Sequence, residues 1–167
     1  MHRLLPILAL LAFARPARAD VDVVPHLLVG YADQAGMPTV PLRYGLDLMV
    51  RKSQYVGLFI GVAHAVELAR ETEHVPMLRL GVAVPTSEDY VGALFPIFEF
   101  YGFAGRRFSD GRGGANRFGV GISSPIGLMV SAVALRYGLP VPNTFEMALD
   151  RERDGLTTLS WSLAWSL

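Results

Sequence analysis

The sequence predicts an all-β chain: an eight-stranded antiparallel up-and-down transmembrane β-barrel. Three observations carry that expectation. Apolar residues alternate with small or polar ones through segment after segment, the period of a strand whose successive side chains point to opposite faces. Of the 167 residues 51% are hydrophobic and only 18% charged, whereas charge in soluble domains runs near a quarter. Beyond the N-terminal segment no uncharged apolar run is long enough for a spanning helix, so a membrane-embedded chain of this kind must enter as a closed barrel.

Residues 1–19 read as a secretory signal peptide. Arg3 precedes the apolar run 4–14, and Ala17-Arg18-Ala19 places small residues at the cleavage positions, with the cut expected before Asp20. The run is too short to cross a bilayer as a helix, which disfavours an uncleaved anchor. Residues 20–167 then form a single outer-membrane barrel domain with 12 basic and 15 acidic residues, a net charge of −3. It has no cysteine, so it is held without disulfides, and no basic excess that would attract a nucleic acid.

Each strand has a local justification. The first, 21–31, alternates weakly and contains Pro25. The second, 39–50, sets Val40, Leu42, Tyr44, Leu46, Leu48 and Val50 against Pro41, Arg43, Gly45, Asp47 and Met49. The third, 55–67, sets Val56, Leu58, Ile60 and Val62 against Gly57, Phe59, Gly61 and Ala63. The fourth, 74–84, opposes Leu78, Leu80, Val82 and Val84 to Arg79, Gly81 and Ala83. The fifth, 90–102, opposes Leu94, Phe98 and Phe100 to Ala93, Phe95, Ile97 and Glu99. The sixth, 116–123, is short. The seventh, 127–138, lies between Gly127 and Gly138, and Val130 and Val133 favour a strand over a helix. The eighth, 156–167, carries Leu159, Trp161, Leu163, Trp165 and Leu167 on one face and Thr158, Ser160, Ser162, Ala164 and Ser166 on the other.

The connections 51–54, 85–89 and 124–126 are short, whereas 32–38, 68–73, 103–115 and 139–155 are longer and more polar. A helical turn over 145–153 would fit inside the last of these. Short turns on one rim and long loops on the other are the plan of a membrane barrel.

Charge decides which face meets lipid. A cation on the lipid side near the bilayer midplane costs roughly 2–4 kcal/mol, so the face bearing Arg43 and Arg79 is the lumen. By parity Arg43, Asp47, Glu67, Arg79, Glu99, Arg117 and Arg136 form a lumenal charge network, nearly self-neutralising as buried charges require. Eight strands enclose only enough space for side chains to fill, and Gly45, Gly57, Gly61, Gly81, Gly119 and Gly121 leave room for the long ones. Tyr31, Phe118 and Tyr137 near the long-loop ends, with Tyr90 and Trp165 near the short-turn ends, make the expected aromatic girdles.

At this point the chain resembles the small bacterial outer-membrane β-barrels of the OmpA/OmpX type, over roughly residues 20–167. The resemblance rests on the leader, the loop asymmetry, "RFGVGISSPIGLMVSAVALRYG", and the ending "LTTLSWSLAWSL". That ending is similar to the terminal strand signal read by the outer-membrane barrel insertion machinery, although the usual last residue is aromatic and here it is Leu167. The resemblance implies a monomer in the bacterial outer membrane, exported through the periplasm, porin-like in build and without a cofactor. Its partners would be outer-membrane lipid and the insertion machinery. Lipopolysaccharide phosphates are a further expected contact, through Arg106, Arg107 and Arg112, because arginine binds phosphate bidentately.

The function expected is non-enzymatic, contributing to membrane integrity or surface interaction through the long loops, with a closed or very narrow charged lumen. Lipid A deacylases of barrel form carry a His-x-Ser pair, and none of His2, His26, His64 or His74 is followed by serine two residues on. His64 faces outward by parity and reads as interfacial packing. Glu67, Glu71, Glu73 and His74 cluster around the second long loop, where the carboxylates offer oxygen ligands for a divalent cation, but they read as a solvated acidic loop. A soluble lipocalin-like carrier is the rival from another class. It would turn Tyr44, Leu46, Trp161 and Trp165 inward around an apolar ligand.

Overall fold

The structure, a computed structural model, describes residues 20–34, 36–53, 56–68, 72–86, 97–109, 112–124, 136, 142–152 and 155–166. Eight strands follow one another: β1 Asp20–Gln34, β2 Met37–Ser53, β3 Val56–Leu68, β4 Thr72–Val84, β5 Phe98–Ser109, β6 Arg112–Ser123, β7 Thr144–Arg151 and β8 Thr157–Ser166. Each pairs antiparallel with its chain neighbours, and β1 closes on β8, with Leu28 opposite Ser166 and Gln34 opposite Ser160. The all-β, closed eight-stranded antiparallel barrel is therefore as expected. Closure removes both sheet edges, so every strand finds a ladder partner on each side.

Two strands differ from the sequence reading. The fifth begins at Phe98 rather than 90 and continues to Ser109; the expected residues 90–96 lie outside those described. The seventh is Thr144–Arg151, within the stretch expected to be a loop with a helical turn. The expected strand at 127–138 lies outside the described residues, apart from Arg136. "TFEMALDR" is a strand because Phe145, Met147 and Leu149 alternate with Glu146, Ala148 and Asp150, exposed and buried in turn. Its acids look like surface residues until the arginines opposite them are in view.

The loop lengths differ as well. Connections 35–36, 69–71, 110–111 and 152–156 share one rim and are short in sequence where long loops were expected, while the connection after β2 is short as expected. The longer stretches, 85–97 and 124–143, share the opposite rim with the start of β1. The physical reason is that a ladder does not stop where side chains turn polar. β5 and β6 continue through Arg107, opposite Ala115, to Ser109, opposite Arg112, with a register shift between. At the first of these turns Gly36 has φ of 85°, a left-handed conformation that glycine adopts without steric cost.

Side chains alternate strictly across the wall. Arg79 is 4% exposed and its chain neighbour Leu80 is 66% exposed. Inside lie Met49, Phe59, Val75 and Tyr101 together with the charged groups; outside lie Leu46, Ile60, Val62, Leu78 and Val120. The lumenal glycines make room for the rings: a Cβ on Gly121 would strike Tyr101, and one on Gly119 would strike Phe103.

Candidate functional site: a charged lumen

The lumen holds three tiers of paired charge, each set by strand parity. Nearest the start of β1, Arg51 donates to Asp22 at 2.7 Å. In the next tier Arg79 from β4 donates to Asp47 of β2 at 3.0 Å and lies 3.8 Å from Glu99 of β5. His26 Nδ1 sits 3.1 Å from the same Arg79 nitrogen. The Arg79 guanidinium also lies 4.2 Å above the Tyr101 ring and 5.3 Å from that of Phe59, close enough for cation–π attraction.

At the same depth Arg43 of β2 reaches across the barrel to Glu146 of β7, two nitrogens donating to two carboxylate oxygens. The Tyr101 hydroxyl donates to Glu146 as well, and Ser162 donates at 3.3 Å, so this carboxylate has four donors. Bidentate pairing of this kind is among the stronger polar contacts available to a protein.

The third tier closes the rim opposite the start of β1. Glu67 accepts from Gln34 and from Arg117. Arg117 also donates to Ser160 at 3.2 Å and lies 3.7 Å from Asp150. Arg107 donates to the Gln34 side-chain oxygen at 2.7 Å and lies 3.5 Å from Glu73 and 3.7 Å from Asp150. Isolated ions would be very costly in so dry a space, and neutralisation across strands is what makes it tolerable.

Of the residues expected in the lumen, Arg43, Asp47, Glu67, Arg79, Glu99 and Arg117 all point inward and join these tiers. Arg136 does not: it is exposed, in a turn between β6 and β7. Glu146 and Asp150 also point inward, from a stretch expected to be a loop; the period-two pattern of "TFEMALDR" is the signal that points to them. Arg107, expected on a surface loop, turns into the lumen, whereas Arg106 faces out and Arg112 is the first residue of β6.

Among the girdle residues, Tyr31 and Phe118 are exposed on the outer wall and Trp165 is half-buried there, while Tyr90 and Tyr137 lie outside the described residues. Tyr31 packs against Trp161 of β8 with ring centres 5.8 Å apart. The acids near the second turn are not gathered for a cation: Glu67 and Glu73 face inward, His74 faces outward, and Glu71 lies outside the described residues. His74 stacks instead on His64, which shares a 2.8 Å hydrogen bond with the Tyr44 hydroxyl. Among the described residues no group of three or more His, Cys, Asp or Glu is placed to hold a metal ion.

No protein-family model matches the chain, and no curated protein is detectably similar to it. A solved structure from the de novo design of transmembrane β-barrels aligns over 86% of this chain and 94% of its own, at 15% identity and a TM-score of 0.36. The class of the protein rests on its own ladder and wall: a closed eight-stranded barrel with ion pairs inside and an apolar surface outside.

Proposed function

We propose that this chain is a membrane-spanning barrel of the bacterial outer membrane whose lumen is closed by ion pairs, serving envelope integrity rather than catalysis. The inverted wall carries this reading. Along β2 the outward residues run apolar from Val40 through Leu42, Tyr44, Leu46 and Leu48 to Val50. At about 3.3 Å per residue that stretch is roughly 33 Å long, and a barrel tilt of about 40° reduces its height to roughly 25 Å. A membrane barrel presents an apolar band of about that height to lipid. Water would be a poor solvent for such a wall, since large exposed apolar patches mark an interaction surface.

The lipocalin-like alternative needs the opposite polarity. Tyr44 and Leu46 are exposed here and Arg43 and Asp47 buried, so the interior offers an apolar ligand no oily cavity. Outer-membrane lipid and the barrel insertion machinery are the partners this reading implies, for a barrel working as a monomer. Contacts with other surface molecules fall to the stretches 85–97 and 124–143, the longest between strands.

Cell fractionation with a gel run before and after boiling tests the proposal. The barrel should sediment with the outer membrane, resist alkaline washing and change mobility on heating. Release with the soluble periplasmic fraction would overturn it. Lipid A mass spectra with and without expression should be identical, and a new acylation pattern would overturn the non-enzymatic part.

A further inference from the structure

Near the rim opposite the start of β1, polar residues interrupt the oily wall across three adjacent strands. Arg106 of β5 stands opposite Asn116 of β6, and Asn116 opposite Arg151 of β7. All three are exposed and face outward. Neither arginine has an acidic partner among the described residues, since every ion pair there joins other groups. Strand spacing of about 4.8 Å puts the two arginine Cα atoms roughly 10 Å apart, so both long side chains can converge on one anion over Asn116. Toward the opposite rim Val21, Val23, Val50, Val56, Phe98 and Ile122 are exposed apolar residues of the outer wall.

Immediately below this row, toward the middle of the wall, lies a groove of about 400 Å³. Phe118, Leu149 and Leu159 form one side, Val120 and Met147 the other. Its floor is the backbone at Gly119 and Ala148, positions whose side is turned to the lumen. The Arg106 guanidinium lies 5.4 Å over the Phe108 ring, and neither it nor Arg151 has an acidic partner among the described residues. An apolar trough beside these two guanidiniums and an amide is complementary to an acyl chain that ends in an anionic headgroup.

We propose that this wall binds one phosphate-bearing acyl lipid, its chain in the groove and its phosphate held by Arg106, Asn116 and Arg151. The inference rests on the membrane-spanning reading, which surrounds the wall with lipid. Guanidinium groups match phosphate oxygens in bidentate geometry, and the Asn116 amide supplies a further donor. Free phosphate would use only the polar half of the site; the groove makes a lipid the occupant.

Native mass spectrometry of the folded barrel in a non-ionic detergent tests this, with dioleoyl-phosphatidylglycerol as the probe. Dioleoylglycerol, the same chains without phosphate, and inorganic phosphate alone are the comparison ligands. One phosphatidylglycerol per barrel should be retained in preference to both. Arg106→Gln with Arg151→Gln, which keeps both outer positions polar, should weaken it about tenfold, and Val120→Trp, which fills the groove, by a similar factor. Heat-dependent gel mobility confirms that each variant is folded. Equal retention of dioleoylglycerol, phosphate bound as tightly as the lipid, or full binding by the glutamine pair overturns the site. Alkaline washing of the wild type in vesicles separates the two failures. A barrel that stays inserted without lipid preference loses only this site, and one that washes off loses the membrane-spanning reading too.

Discussion

Arg43 and Glu146 stand 103 residues apart in the chain and meet at the middle of the lumen, nitrogen pair to oxygen pair. The contact ties β2 to β7, strands that share no ladder, so it braces the barrel across its diameter.

Breaking that pair from one side should be worse than removing it altogether. Arg43→Met leaves a buried carboxylate with only Tyr101 and Ser162 as donors, and losing one partner of a buried pair costs about 3–5 kcal/mol. Arg43→Met with Glu146→Leu should cost less than either single change. Urea unfolding followed by the fluorescence of Trp161 and Trp165 checks the order, and additive costs in the double variant would contradict it.

Tyr101 fits the lumen because Gly121 has no side chain beneath it. Gly121→Val should therefore destabilise by about 1–3 kcal/mol through overpacking. Trimming the ring with Tyr101→Ala in the same chain should recover part of that loss relative to the sum of the single changes. Unfolding midpoints of the three variants decide it; simple additivity would mean the two positions do not compete for space.

The outer wall gives a depth-dependent test. Leu80→Arg places a cation in the middle of the apolar surface and should cost about 2–4 kcal/mol in lipid vesicles, whereas Leu68→Arg, at the end of β3, should cost about 0–1 kcal/mol. Equal and small effects at both positions would mean that no hydrocarbon surrounds the wall.

A lumen filled by Phe59, Tyr101, Met49 and the paired charges should pass no ions. Planar-bilayer recording of the wild type is expected to show a flat baseline. Replacing Phe59 and Tyr101 together by serine should introduce discrete openings. Steps in the wild type would show that the pairs rearrange into a continuous path.

Much of this was legible one residue at a time. The alternation in "VPLRYGLDLMV" is local, so it assigned Arg43 and Asp47 to the inner face and Leu46 and Leu48 to the outer without any knowledge of neighbours. The same parity placed Glu67, Arg79, Glu99 and Arg117, and the closing "LSWSLAW" with its tryptophans outward. What could not be read locally was where a polar stretch remains in the ladder. Arg107, Glu146 and Asp150 look like loop residues because burying a charge is costly, and the offset comes from partners far away in the chain: Gln34, Arg43 and Arg117.

The sequence by itself determined the two-faced strands, the oily outer surface and most of the inward charges, because side-chain direction in a strand depends only on position. The tertiary structure alone decided which charges pair, that "TFEMALDR" is the seventh strand, and that β1 and β5 run on to Gln34 and Ser109. Those outcomes depend on closure. When β1 meets β8, Arg43 comes within reach of Glu146 and Arg117 within reach of Glu67 across the lumen, and that proximity offsets the cost of holding these charges out of water.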